Sequence, residues 1–150
     1  MTPKKPPLLI SLLAPALKWI SKSNVAIYRA TNGRIAGHEL GLPLCLLTTT
    51  GRKSGLLRTT PLIFMSDGAR VVLVASQGGL PKHPMWFLNL RTNPEVHVQI
   101  RAQKHPMRAH VADDAQRAEL WPRLIAHNPR WARYQSWTDR VIPVVICEPV

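Results

Sequence analysis

Along most of this chain apolar and polar residues alternate with a period near two, the signature of strands with one face turned to a core. Residues 44–50 and 57–65 read as strands on either side of a GRKSG turn, the first of them apolar enough to be buried. Asp67-Gly68 predicts a hairpin, because both central positions of a type I′ turn need positive φ, and 71–75 is the returning strand. Over 95–101 the alternation is strict, with Val96, Val98 and Ile100 to one side and Glu95, His97, Gln99 and Arg101 to the other. Met107, Ala109 and Val111 continue it after a turn at Ala102-Gln103, and 142–147 supplies a last strand. A helical period replaces this pattern in three places. Pro84 can open a short helix that Asn93-Pro94 closes. Asp113, with Gln116 three residues on, predicts a capping box for a helix whose Leu120, Trp121, Leu124 and Ile125 face the core, kinked at Pro122 and ended by Asn128-Pro129. The third is the N-terminus. About six short, mostly antiparallel strands with flanking helices predict an α+β domain built as a small closed or split β-barrel.

The N-terminal segment puts Leu9, Leu12, Leu13, Ala16, Leu17 and Ile20 on one broad helical face, with Ser11, Lys18 and Lys22 on the other. It imitates a secretory signal, with Ala14-Pro15-Ala16 as a small-residue cleavage site. However, Pro6, Pro7 and Pro15 interrupt the apolar run, which is shorter than the roughly 20 residues a bilayer span requires. Two readings stand: the amphipathic helix packs on the barrel, or it rests in a membrane interface with its lysines on anionic lipid. The expected division is a leading segment, 1–24, and a barrel, 25–150.

A length of 150 residues with 45% hydrophobic content suits one domain with a modest core. Charge adds something the pattern does not. The net charge is +12, and the first 58 residues hold nine Lys or Arg against the single acid Glu39. That asymmetry predicts attraction to a polyanion: nucleic acid, an acidic membrane surface or an acidic cofactor. Cys45 and Cys147 sit in apolar strand-like runs and read as buried free thiols, which suits a reducing cytoplasm.

Spacing excludes several chemistries. No GxGxxG follows a strand and no GxxxxGK[ST] occurs, so neither dinucleotide-fold nor P-loop phosphate binding is supported. The six histidines and two cysteines form no CxxC or HExxH, and no GxSxG elbow is present. A chain without obvious acids, bases or metal ligands fits an enzyme whose cofactor carries the chemistry. Gly51 and Gly55 bracket Arg52, Lys53 and Ser54, with Arg58 three residues on, a cationic loop able to hold an anion. The competing reading is an ordinary exposed β-turn.

The runs TTTGRKSGxxRxxPL, SxGGxxxxPxWxxNLxxNPxVxVQ and QSWTDRxIPVxxCEP, in consistent order over about residues 25–149, resemble the deazaflavin-dependent nitroreductase family of actinobacteria, which uses coenzyme F420. The resemblance implies a split β-barrel of the FMN-binding kind. It also implies an oxidoreductase that passes hydride from reduced F420 to a quinone-like, enone or nitro acceptor. The coenzyme's phosphodiester and oligoglutamate tail make its far end anionic, which matches Arg52, Lys53, Ser54 and Arg58. By analogy, Pro61, Ile63 and Met65 line the ring side, Ser76, Gln77, Gly78 and Gly79 pass the ring edge, and Lys82, Pro84, Met85 and Trp86 complete the pocket. Met85 and Trp86 can each be part core and part pocket, and Lys82 an ordinary solvated lysine. His83 has no visible partner and is assigned no role.

The acceptor side departs from the family pattern, where tyrosines recur three residues apart. Here those positions are Asn128, Trp131 and Tyr134, and only the last keeps the phenol. Gln77 stands where a lysine is frequent. Tyr134 and Ser76 are therefore the candidates for orienting the acceptor oxygen or supplying a proton, with Trp131 as either an apolar wall or core. The expected assembly is a monomer or homodimer in the cytoplasm, with an anionic membrane surface as a further partner. Two alternatives remain. One is an FMN- or haem-binding barrel without turnover. The other is a nucleic-acid binder suggested by the interleaved PRWARYQSWTDR, against which stand the missing stacking strands of RNA-binding sheets.

Overall fold

The computed structural model describes residues 14–150, with side chains from residue 22 onward. In chain order the elements are α1 (Ala14–Thr31), β1 (His38–Glu39), β2 (Leu42–Thr50), β3 (Leu57–Ile63), β4 (Met65–Asp67), β5 (Arg70–Val74) and a short 3-10 turn (Gln77–Gly79). There follow α2 (Met85–Thr92), β6 (Glu95–Ile100), β7 (Gln103–Val111), α3 (Asp114–His127), α4 (Arg130–Ser136) and β8 (Val144–Pro149). Every strand pairing is antiparallel, in the order β1-β2-β6-β7-β8-β5-β4, with β3 on the other side of β2. Phe64 alone separates β3 from β4, so one bent strand pairs with β2 through its first half and with β5 through its second. The sheet thereby curls onto itself. This is a split β-barrel of α+β class, with six staves once the bent strand counts as one and β1 is set aside as a stub.

Burial explains the two kinds of strand. On β2, Cys45 and Leu47 face a barrel interior that also holds Phe87 and Leu90 of α2, while Leu44 and Leu46 face Val25 and Tyr28 of α1. On β5 and β8, Leu73 and Val145 point inward, and Val72, Val74, Val144 and Ile146 point out to Leu120, Leu124 and Trp131 of α3 and α4. These strands are covered on both faces and read as continuous apolar runs. On β6 inward Val96 and Val98 alternate with exposed Glu95 and His97, and on β7 Met107 and Ala109 are buried, while residues 103–106 and Val111, the last expected to face inward, are exposed. Gln99 is the exception on β6: its outward position is 6% exposed, because Tyr28 reaches across it. The Tyr28 hydroxyl donates to the Leu44 carbonyl at 3.0 Å and accepts from the Arg101 N–H at 2.8 Å, fixing α1 across β2 and β6. Each buried side chain of this size contributes roughly 1.5–3 kcal/mol.

Several local expectations hold in detail. Asp113 caps α3 through a reciprocal pair with Gln116, at 2.8 and 3.1 Å. Pro84 precedes the first residue of α2, and Asn93 ends it. Pro122 lies inside an unbroken α3. Cys45 and Cys147 are buried free thiols, and burial pushes both up, Cys147 to about 12. The hairpin differs by one residue. Asp67 pairs with Arg70, so the loop is Gly68-Ala69 with positive φ (61°) only at Gly68, the pattern of a II′ turn. Asp67 instead accepts from Arg70 and from Arg123 at 3.0 Å, and both hold its carboxyl below the usual range. The expected boundary at residue 24 falls within α1. The amphipathic face drawn from Leu9 to Ile20 lies outside the residues whose side chains are described. Among the described residues no helix is long and apolar enough to cross a membrane.

Candidate functional site

Two loops carry the predicted site residues. The first joins β2 to β3. Gly51 donates to the Leu56 carbonyl at 2.7 Å and Gly55 to Gly51 at 2.8 Å, closing a compact turn in which Gly55 has φ 71°. The Arg52 N–H is held by Asn89 Oδ1 at 3.1 Å, and Asn89 Nδ2 donates to Thr49 Oγ1 at 3.2 Å. A buried amide on α2 thus anchors the loop to the helix. Lys53, Ser54 and Arg58 are exposed, and Ser54 Oγ accepts from the Leu56 N–H at 3.2 Å. Arg58 lies opposite Thr49, on the face turned to α2, and Arg52 Nη1 reaches within 3.8 Å of Met85 Sδ at the start of that helix. The structure therefore gathers Arg52, Arg58 and Met85 at one end of the barrel. Among the described residues the ion pairs join Arg70 and Arg123 to Asp67, Glu119 and Glu148, and none involves Arg52, Lys53 or Arg58.

The register sets the residues expected on the ring side apart from Arg58. Pro61 and Ile63 lie opposite Leu46 and Leu44, on the face away from Arg58. Ile63 packs against both the Tyr28 cluster and the Trp131 cluster. Met65 is buried in the Trp131 cluster, which Tyr134 also borders. Within α2 the Met85-Trp86 pair divides cleanly. Met85 is 61% exposed, whereas Trp86 is buried in the barrel interior, edge-on to Phe87 with ring centroids 6.4 Å apart. Pro84 is buried and Lys82 exposed.

The second loop, after β5, is backbone held in unusual conformations. Gln77, Gly78 and Gly79 have φ of 45°, 63° and 76° in succession. A residue such as Gln77 in that region costs on the order of 1–3 kcal/mol and persists only when its surroundings enforce it. Gly79 is enforced by contact: a Cβ there would lie 2.7 Å from the Tyr134 carbonyl oxygen. Ser76 is buried at the start of this turn. Thus Ser76 to Gly79 and Tyr134, assigned to ring and acceptor, are neighbours in space.

Arg140 carries no signal of its own in the sequence. It donates from Nε to the Leu80 carbonyl at 3.0 Å, from Nη1 to Ala75 at 3.2 Å and from Nη2 to Ser76 at 2.7 Å. Its Nη1 also lies 3.1 Å from His83 Nδ1. A guanidinium can only donate, so Nδ1 of His83 is the acceptor and carries no proton. Burial, then Arg140 and Arg91, lowers the His83 pKa, and its ring lies 4.9 Å from that of Phe87. His83 therefore has a partner where the sequence showed none. Gln135 Nε2 donates to the Arg140 carbonyl at 2.8 Å, and its Oε1 accepts from the Ile142 N–H at 2.8 Å. Asn89 and Arg140 are polar residues embedded in the family-like runs, without a local pattern to show what they bind.

Among the residues expected to shape the acceptor site, Asn128 is 2% exposed and its Oδ1 accepts from the Arg130 N–H at 3.3 Å. Trp131 is buried in the core, and Tyr134 is half-buried beside Trp137, with centroids 5.6 Å apart. Of the interleaved aromatics of this segment, Trp131 is therefore committed to core, while Tyr134 and Trp137 pair with each other at the half-buried edge.

A curled barrel with a cationic turn at one end, free of ion pairs among the described residues, and a glycine-rich turn beside Tyr134 places the chain among split-barrel proteins. The model of the F420H(2)-dependent quinone reductase family matches residues 19–149, and the chain belongs to that family. An F420H(2)-dependent quinone reductase of Mycobacterium tuberculosis is 42% identical over 126 residues, covering 81% of this chain and 84% of that protein. A solved F420-H2 dependent reductase superposes with a TM-score of 0.66 at 41% identity, over 71% of this chain and 94% of its own. Another solved relative, a domain-swapped dimer, gives 0.69 at 36% identity over 89% and 99%.

Proposed function

We propose that this chain is an F420H2-dependent reductase that passes hydride to a quinone-like acceptor, with enones and nitro compounds as related acceptors. The observation that carries the reading is the set of Arg52, Lys53 and Arg58, three cations on and beside a glycine-bracketed turn without carboxylate partners among the described residues. Its donors fit a phosphodiester and carboxylate tail. Bound F420H2 supplies the hydride. Arg52, Lys53 and Ser54 hold the anionic end, and Arg58 adds its charge from β3. Ser76, Gln77, Gly78 and Gly79 offer a low-profile edge to a flat ring. Lys82 and Met85 border the approach, with Pro84 and Trp86 buried behind them in the packing of α2, and Pro61, Ile63 and Met65, on the face away from Arg58, belong to the ring side. Tyr134 and Ser76 orient the acceptor oxygen or deliver the proton that follows hydride, with Asn128 and Trp131 shaping the wall. We place the enzyme in the cytoplasm, as a monomer or homodimer. The N-terminal lysines are suited to an anionic membrane surface.

The test is a fluorescence titration with oxidised F420, with FMN in parallel, followed by turnover of F420H2 with menadione. Tight deazaflavin binding at moderate salt with menadione-dependent oxidation is expected. Preference for FMN, or no binding of either, would sink the proposal.

A further inference from the structure

The positive-φ run of Gln77, Gly78 and Gly79 is gripped from two sides. Its flanking carbonyls, Ala75 and Ser76 before it and Leu80 after it, all accept from one guanidinium, that of Arg140. The same group meets His83, three residues beyond Leu80. Four hydrogen bonds from one side chain therefore span the loop from end to end. On the opposite side Gly79 rests against the backbone of Tyr134. Arg140 is in turn tied to α4, because Gln135, the residue after Tyr134, donates to its carbonyl. Loop, guanidinium and acceptor-side helix form one closed circuit.

The geometry points to Arg140 as a positioning residue that holds the ring-side turn at a set distance from Tyr134, so that alignment of hydride donor and acceptor depends on a guanidinium bonded to the backbone of that turn. The inference rests on the functional reading above, since it takes segment 76–79 as the ring side and Tyr134 as the acceptor side. A planar fork suits the task. Three carbonyls and an imidazole nitrogen lie around one rigid plane, which a lysine ammonium on a flexible stem cannot span. A displacement of about 1 Å between reacting groups costs on the order of a hundredfold in rate, so small relaxations of this loop register in turnover.

The experiment compares R140A and R140K with the parent chain. Amide hydrogen exchange is followed at Gly79 and Leu80, whose N–H groups bond Ser76 and Gln77 across the turn at 2.9 and 3.2 Å. Leu47 and Val98, at the centre of the β2–β6 pairing, serve as reference amides. In cofactor-free R140A, exchange at Gly79 and Leu80 should accelerate about tenfold or more with the references unchanged. With F420H2 and menadione, kcat should fall by about tenfold or more while the menadione KM stays within about twofold. R140K should recover part of both losses. Unchanged exchange at Gly79 and Leu80 would overturn the inference, as would acceleration shared equally by the reference amides. An unchanged kcat, or full recovery in R140K, would overturn it too. If R140A does not fold, R140K and Q135L are measured by the same exchange and turnover readouts, and the same results support or overturn the inference. Failure of the parent chain to bind F420 would defeat the functional reading instead, while the exchange measurements still decide whether Arg140 holds the turn.

Discussion

The two site loops are opposites in how they are built. The β2–β3 turn displays its chemistry on side chains, with Lys53, Ser54 and Arg58 exposed and a few local hydrogen bonds shaping the backbone. The turn after β5 displays backbone, its conformation enforced by Arg140 from some 60 residues away and by the back of Tyr134. A loop of the first kind tolerates a change of shape and is sensitive to a change of charge. One of the second kind is the reverse.

The largest effect should come from the charges. R52A/K53A removes two charge-assisted donors, each worth roughly 1.5–3 kcal/mol, so F420 affinity should fall by about a hundredfold or more while Tm stays within about 2 °C. Titration and a melting curve check both halves. If affinity and Tm fell together, the turn would be structural and the contrast would fail.

Next comes a paired glycine test. Gly79→Ala places a Cβ against the Tyr134 carbonyl at positive φ, and should cost about 2–4 kcal/mol with most of the turnover. Gly55→Ala, at similar φ but with open space around it, should cost about 1 kcal/mol. Denaturant melts of both variants give the difference. Equal losses would mean that Tyr134 does not confine the second loop.

Asn89→Ala should cost about 1–2 kcal/mol, because it leaves the Arg52 N–H and Thr49 Oγ1 without their partner, and should weaken F420 binding by about three- to tenfold. An affinity untouched by this change would show that the first loop needs no anchor on α2.

The smallest effect is one of pH. His83 is held neutral, its pKa lowered by burial and by Arg140 and Arg91. A group with a depressed histidine pKa binds fewer protons folded than unfolded, so its share of stability is present above the ordinary value of about 6.5. That share is lost as pH falls from there toward the folded value. Urea melts of the parent chain and H83F between pH 7.5 and about 5 should differ in slope by a few tenths of a kcal/mol per pH unit. Parallel slopes would mean that His83 is not held in its neutral form.

Much of this could be read from local pattern. The capping box of α3, the opening of α2 at Pro84 and the strands other than β1 came from spacing alone, with β3 and the start of β4 read as one run, because those features are decided within a few residues. The cationic turn was legible for the same reason. Strict alternation failed at Gln99, buried because Tyr28 arrives from α1, and the odd separation of Arg58 and Pro61 on one strand puts them on opposite faces. His83 lacked a partner in sequence because Arg140 approaches only after β8 docks beside β5.

By itself the sequence determined most of the elements, though neither β1 nor α4, together with the class of barrel, the family resemblance and the cationic turn, since periodicity, capping and local charge act over distances of one or two turns of chain. The tertiary structure alone decided which face of β3 meets α2, that Trp86 and Trp131 go to core, and that one guanidinium holds the glycine-rich turn. Those outcomes depend on closure of a sheet whose partners are far apart in sequence, and on the need of each buried donor and carbonyl for a counterpart that only closure supplies.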